Sequence, residues 1–90
     1  GKPVKFEVSQ NYPNPSNPVS KIDFQLPKDA KVTLKVYDLA GKEVSILVDG
    51  NITAGFHTVE FNGSNLASGV YIYKLNAGEF SDIKKLVLVK

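Results

Sequence analysis

The feature that most constrains this chain is a period of two. Apolar and polar residues alternate in short runs along its length, and apolar spacing of three and four is nowhere sustained, so half-buried strands are expected and helices are not. Val4, Phe6 and Val8 alternate with Lys5 and Glu7; Ile22, Phe24 and Leu26 with Lys21, Asp23 and Gln25; Val32, Leu34 and Val36 with Lys31, Thr33 and Lys35. Val44, Ile46 and Val48 form a fourth run, Val59 and Phe61 anchor a fifth, Tyr71, Tyr73 and Leu75 a sixth, and residues 83–89 a seventh. Seven strands in 90 residues predict an all-β sandwich of two antiparallel sheets.

The punctuation between the runs supports this order. Asp38, Leu39, Ala40 and Gly41 predict a type I turn closed by a left-handed glycine, making a hairpin of the third and fourth strands. Asn76, Ala77 and Gly78 predict the same between the sixth and seventh. The stretches from Asp49-Gly50 to Ala54-Gly55 and from Asn62-Gly63 to Ser68-Gly69 are longer connections suited to crossing between sheets. Pro27 is expected to end the second strand. One segment departs from strand grammar: residues 10–18, QNYPNPSNP, place Tyr12, Asn14 and Asn17 before prolines that favour extended backbone. It is expected to be an ordered connector closing one end of the sandwich, with Tyr12 tucked inward.

Composition narrows the function. A chain of 90 residues has room for one domain and one core, and no apolar run approaches the roughly 20 residues of a membrane-spanning helix. It begins at Gly1 with no leader-like segment, which reads as a piece of a longer protein. There is no cysteine, hence no disulfide, thiolate metal site or thiol nucleophile. All 11 basic residues are lysine and the formal charge is only +2, which argues against nucleic-acid binding, since bidentate arginine contacts are missing.

Chemistry-bearing constellations are sparse. The lone histidine, His57, shares a strand face with Val59 and Phe61 and reads as a hydrogen-bonded core or rim residue. No serine lies in a nucleophile elbow. The carboxylates fall on polar strand faces or in turns, and Asp49-Gly50-Asn51 lacks the further oxygen ligands of a calcium loop. The glycosylation patterns at Asn51 and Asn62 are too short to carry weight. Tyr12, Tyr37, Phe56 and Phe80 are the aromatics expected outside the core; a carbohydrate-binding row would need them on one face, where alternation does not place them.

The last run, DIKKLVLVK at residues 82–90, is apolar on both sides: Leu86 and Leu88 point one way, Val87 and Val89 the other. A strand packed on one side does not need this, so either the end is covered on both faces or one face is kept for a partner.

Taken together, QNYPNPSNP (residues 10–18), LKVYDLAGKEV (34–44), the AG-x-H-x-V-x-F stretch (54–61), LASGVYIYKL (66–75) and KKLVLVK (84–90) resemble a known family. The chain looks like a type A C-terminal sorting domain of the type IX secretion system, similar to the Ig-like module of flagellar hook-capping proteins. The resemblance implies an Ig-like β-sandwich, residues 1–90 forming one domain at the C-terminus of a longer secreted cargo. It implies passage through the periplasm and an outer-membrane translocon to the cell surface or medium, and removal by a sortase-like peptidase. From the residues themselves no catalytic, cofactor or metal site is assigned, and a monomer is expected; a carbohydrate-binding or structural accessory module of an extracellular enzyme is the alternative reading. The signal in such domains is associated with the terminal strands, so the implied recognition residues are Lys84, Lys85, Leu86, Val87, Leu88, Val89 and Lys90. Two positions depart from the family's habit, which often has phenylalanine at Ser16 and methionine at Leu86. The serine removes an apolar plug, so a weaker contact between the proline segment and the sandwich is expected. Tyr71 and Tyr73 correspond to the corner tyrosine and the second bridging position of Ig-like sandwiches, and are expected to serve the fold.

Overall fold

A computed structural model describes residues 2–90. The chain forms β1 (Glu7–Val8), β2 (Val19–Leu26), β3 (Ala30–Tyr37), β4 (Glu43–Ile52), β5 (Gly55–Asn62), β6 (Gly69–Ala77) and β7 (Phe80–Leu88), with no helix among the described residues. All pair antiparallel, in a three-stranded sheet of order β1-β2-β5 and a four-stranded sheet of order β4-β3-β6-β7. This is the order of an Ig-like sandwich whose fourth strand pairs with the third rather than the fifth. The expected all-β fold is therefore what forms.

The period-two pattern places the core between the layers. Ile22, Phe24 and Leu26 from β2 and Phe61 from β5 meet Val32, Leu34 and Val36 from β3, Tyr71, Tyr73 and Leu75 from β6, and Leu86 and Leu88 from β7, all buried. Tyr71 donates its hydroxyl proton to the Ala67 carbonyl oxygen at 2.5 Å, the bond of a tyrosine corner. Pro27 ends β2 as expected.

The turns follow their residues. Asp38 Oδ1 accepts from the amides of Ala40 and Lys42, each at 2.9 Å, and Gly41 takes a φ of 88°. In the β6–β7 hairpin the expected type I turn over Asn76, Ala77 and Gly78 does not form: Asn76 and Ala77 stay paired in β6 and the tight turn falls on Gly78 and Glu79, where glycine alone has positive φ, 60°, as a type II′ turn requires at its first central position.

Three further expectations need correction. The first strand is only Glu7–Val8, and Val4 is 93% exposed. Glu7 pairs with Gln25, so Lys5 would face Pro27, which has no N–H to extend the ladder. In the fourth strand the pairing slips between Leu34 opposite Val48 and Lys35 opposite Ile46, leaving Leu47 as the extra residue of a bulge. A second slip, between Val36 opposite Ser45 and Tyr37 opposite Glu43, leaves Val44 as another, so Val44, Leu47 and Val48 lean on the core and Ile46 turns out to solvent at 51% exposure. Finally, Asp49-Gly50-Asn51 is not part of a connection but lies inside β4, so the crossing to the other sheet is made by Thr53 and Ala54 alone.

Candidate functional site

The proline-asparagine segment and β7 form one structure. Residues 10–16 leave β1, pass the end of the sandwich and lie along the outer edge of β7, as a strap. The Ser16 amide donates to the Val87 carbonyl oxygen at 2.7 Å, and the Val89 amide donates to the Ser16 carbonyl oxygen at 2.8 Å, a parallel bridge. Gln10 Nε2 donates to the Lys85 carbonyl oxygen at 2.6 Å, and the Val87 amide reaches Asn14 Oδ1 at 3.4 Å. The strap thus meets the outward backbone groups from the Lys85 carbonyl to the Val89 amide, which the C-terminal half of an edge strand would otherwise leave unpaired.

Its anchorage on the other sheet is equally specific. Tyr12 exchanges backbone bonds with Lys21 at 2.9 Å in each direction. Asn11, nearly fully buried, donates from Nδ2 to Ser20 Oγ at 3.3 Å and to the Pro13 carbonyl oxygen at 3.1 Å, while its Oδ1 accepts from Gln10 Nε2 at 2.6 Å. Ser20, Asn11, Gln10 and Lys85 so link the two sheets across one end. The peptide bonds Tyr12–Pro13, Asn14–Pro15 and Asn17–Pro18 are cis.

Two expectations about this segment change. Tyr12 is not tucked inward: it is 45% exposed, and its hydroxyl donates to Asp23 Oδ1 at 2.8 Å on the outer face of the three-stranded sheet. That hydrogen bond raises the phenol's pKa. The residues that go inside are Asn11 and Ser16. The expected weakening at Ser16 assumed an apolar side-chain contact, whereas this residue is held by its backbone, with its hydroxyl donating to the Pro18 carbonyl oxygen at 2.8 Å. What sequence reasoning missed is the roles of Gln10, Asn14 and Ser16 on the β7 edge. The signal was present in the run of short amide side chains, which suit unpaired backbone groups.

The structure divides the seven implied recognition residues. Leu86 and Leu88 are in the core at 0% and 1% exposure, Val87 is half-buried on the outer face, and Val89 is 44% exposed beyond the end of β7. Lys85 and Lys90 are exposed and Lys84 is half-buried. Among the described residues none of these lysines forms an ion pair; the pairs present are Lys5 with Glu7 and Lys35 with Glu43. The ribbon is neither sealed inside nor tied up by internal charge contacts.

Behind it, Tyr73 is fully buried and donates its hydroxyl proton to the Ser9 carbonyl oxygen at 2.6 Å, at the foot of the strap. Burial pushes its pKa up to about 12, partly offset by a backbone hydrogen bond with Asn11 and assisted by the nearby Asp82 carboxylate.

The remaining candidates stay apart. His57 lies at the rim as expected, its Nε2 2.8 Å from the Thr53 carbonyl oxygen and its ring stacked on Phe24 at 5.1 Å. Among the described residues no group of His, Asp and Glu side chains gathers to hold a metal ion. Phe56, 67% exposed, and Tyr12 share the outer face of the three-stranded sheet, but Tyr37 lies on the other sheet and Phe80 stacks on Phe6 at 5.5 Å. The aromatics do not form one row.

Residues 10–90 match the family described as secretion system C-terminal sorting domain. The chain belongs to that family. No curated protein matches it. The secretion system C-terminal sorting domain is the sorting signal of type IX secretion, and its presence directs export to the cell surface or the medium. The family is not a catalytic one. The matched span begins at Gln10, the first strap residue whose side chain reaches β7, so the strap belongs to the sorting domain itself.

Proposed function

We propose that this domain acts by being bound and then cleaved, without chemistry of its own, and that residues 1–90 form a single monomeric unit covalently linked to an upstream cargo. Its partners in this reading are an outer-membrane translocon component and a sortase-like peptidase. Lys84, Lys85, Leu86, Val87, Leu88, Val89 and Lys90 carry recognition in two ways. Leu86 and Leu88 hold the last strand in register from inside, and Lys84, Lys85, Val87, Val89 and Lys90 are the groups a partner reaches.

The observation behind this reading is that the strap covers the edge of β7 from Lys85 to Val89 while the outward face of the strand and its lysines stay open. An edge strand that is covered resists unspecific pairing, so what it still offers is side chains. The test must separate recognition from folding. A reporter carrying the chain is expressed in a host with type IX secretion, with Lys84, Lys85 and Lys90 replaced together by glutamine. The melt should remain cooperative, because these side chains make no ion pair that folding would lose. Export of the reporter should fall. Undiminished export would show that the basic groups are not the signal.

A further inference from the structure

We infer that the outer face of the β6–β7 hairpin is the docking surface, and that it fits a protein surface of aliphatic side chains flanked by carboxylates. This rests on the sorting reading and names its face and partner chemistry. The open face of an antiparallel sheet is ordinarily polar. Here the positions that alternate with buried Tyr71, Tyr73, Leu86 and Leu88 bring Val70, Ile72, Ile83 and Val87 outward, and Ile83 is 57% exposed. Pairing sets Val70 across from Val87, Ile72 across from Lys85 and Lys74 across from Ile83. The result is a checkerboard of aliphatic and cationic groups.

No carboxylate dilutes it. The other outward positions of the hairpin are Asn76 and Ser81, and among the described residues neither Lys74 nor Lys85 has an ion-pair partner. The neighbouring Lys35, by contrast, is held by Glu43 at 3.2 Å. The acidic residues of the opposite sheet, Asp23 and Glu60 among them, lie on the far side of the sandwich. Burial of the aliphatic groups would supply affinity, and the unpaired lysines would set orientation and exclude cationic partners.

Other occupants fit less well. A face-to-face pair of this chain centred on the hairpin would set its lysines against each other, since the carboxylates on this sheet face, Glu43 and Asp49, lie on β4, two strands from β6. An anionic membrane would gain only about 1 kcal/mol from each lysine near its surface, and Ile83 is the one exposed aliphatic side chain on this face of the hairpin, Val70, Ile72 and Val87 being half-buried.

The experiment compares three chains fused to a reporter in a type IX host: the wild type, Lys74→Glu with Lys85→Glu, and Ile83→Thr with Val87→Thr, which keeps β-branching at both positions. Each is first shown to melt cooperatively; should the charge reversal not fold, Lys74→Gln with Lys85→Gln replaces it. Export should fall about tenfold or more on charge reversal, because like charges then face each other across the interface. The threonine pair should also reduce it. Export of both variants at the wild-type level overturns the docking face while leaving the sorting reading intact, whereas a wild-type fusion that is not exported overturns both. Purified wild-type chain is also sedimented with vesicles of phosphatidylethanolamine and phosphatidylglycerol, and its mass is followed against concentration. Vesicle binding or self-association that charge reversal abolishes would assign the face to lipid or to a second copy and overturn the protein partner.

Discussion

At Tyr73 one phenol joins the core to the strap, and its raised pKa makes that contact dependent on pH. Its folded value of about 12 lies above the ordinary 10.0, so the neutral form is the one that folding favours. The contribution is complete below pH 10 and is lost as pH rises from there toward 12, where the unfolded chain releases its proton first. Melts followed between pH 8 and 12 should show a decline of about 1–2 kcal/mol from this group. Tyr73→Phe should flatten that decline while costing about 1 kcal/mol at neutral pH for the lost bond to Ser9. Gly63 sets a steric limit nearby. A Cβ there would stand 2.7 Å from both Leu88 methyl carbons and 3.1 Å from Phe61, so Gly63→Ala should destabilise by about 1–3 kcal/mol. Denaturant unfolding of Gly63→Ala with and without Leu88→Val measures it. If the contact is the cause, the second substitution makes the costs less than additive.

At the scale of elements, β7 is a strand with two unlike faces and an edge covered over its C-terminal half. Leu86→Ala removes a side chain at 0% exposure and should cost about 2–5 kcal/mol in denaturant unfolding, whereas Val87→Thr should stay within about 1 kcal/mol. The strap has its own observable, hydrogen exchange. Asn14→Ala should speed exchange of the Val87 amide, and Gln10→Ala should loosen the strap enough to speed that of Val89, with little change at Leu34 in the centre of the sheet. These differences also explain what was legible in the sequence. Leu86 and Leu88 against Val87 and Val89 could be sorted by parity alone, as could the cores of β2, β3 and β6. The slip at Leu47 could not, because a bulge depends on which residue of the partner strand it faces. The shortened β1 was hidden for a related reason: Pro27 blocks its ladder only through a register that is set in three dimensions. The proposed recognition segment rests on the family resemblance, and the strap's bonds to β7 were missed because they join residues far apart in sequence.

At the scale of the molecule, the proposed reading puts stability and signal on the same residues. Removing residues 84–90 takes Leu86 and Leu88 from the core and leaves most of β6 without its outer neighbour. Burial of those two leucines alone contributes about 3–6 kcal/mol, a large part of what a domain of this size has in total. The truncated chain should therefore lose its cooperative thermal transition, as followed by circular dichroism. Loss of export after truncation would then say nothing about recognition, which is why side-chain variants that fold are the informative ones.

The seam between strap and β7 has a further consequence. Its hydrogen bonds join residues 75 and 73 positions apart in the chain, so the seam exists only after both sheets have closed on each other. A receptor resting on that junction would grip the finished tertiary arrangement and find no purchase on a nascent or misassembled copy. Addressing and proofreading would then be a single act.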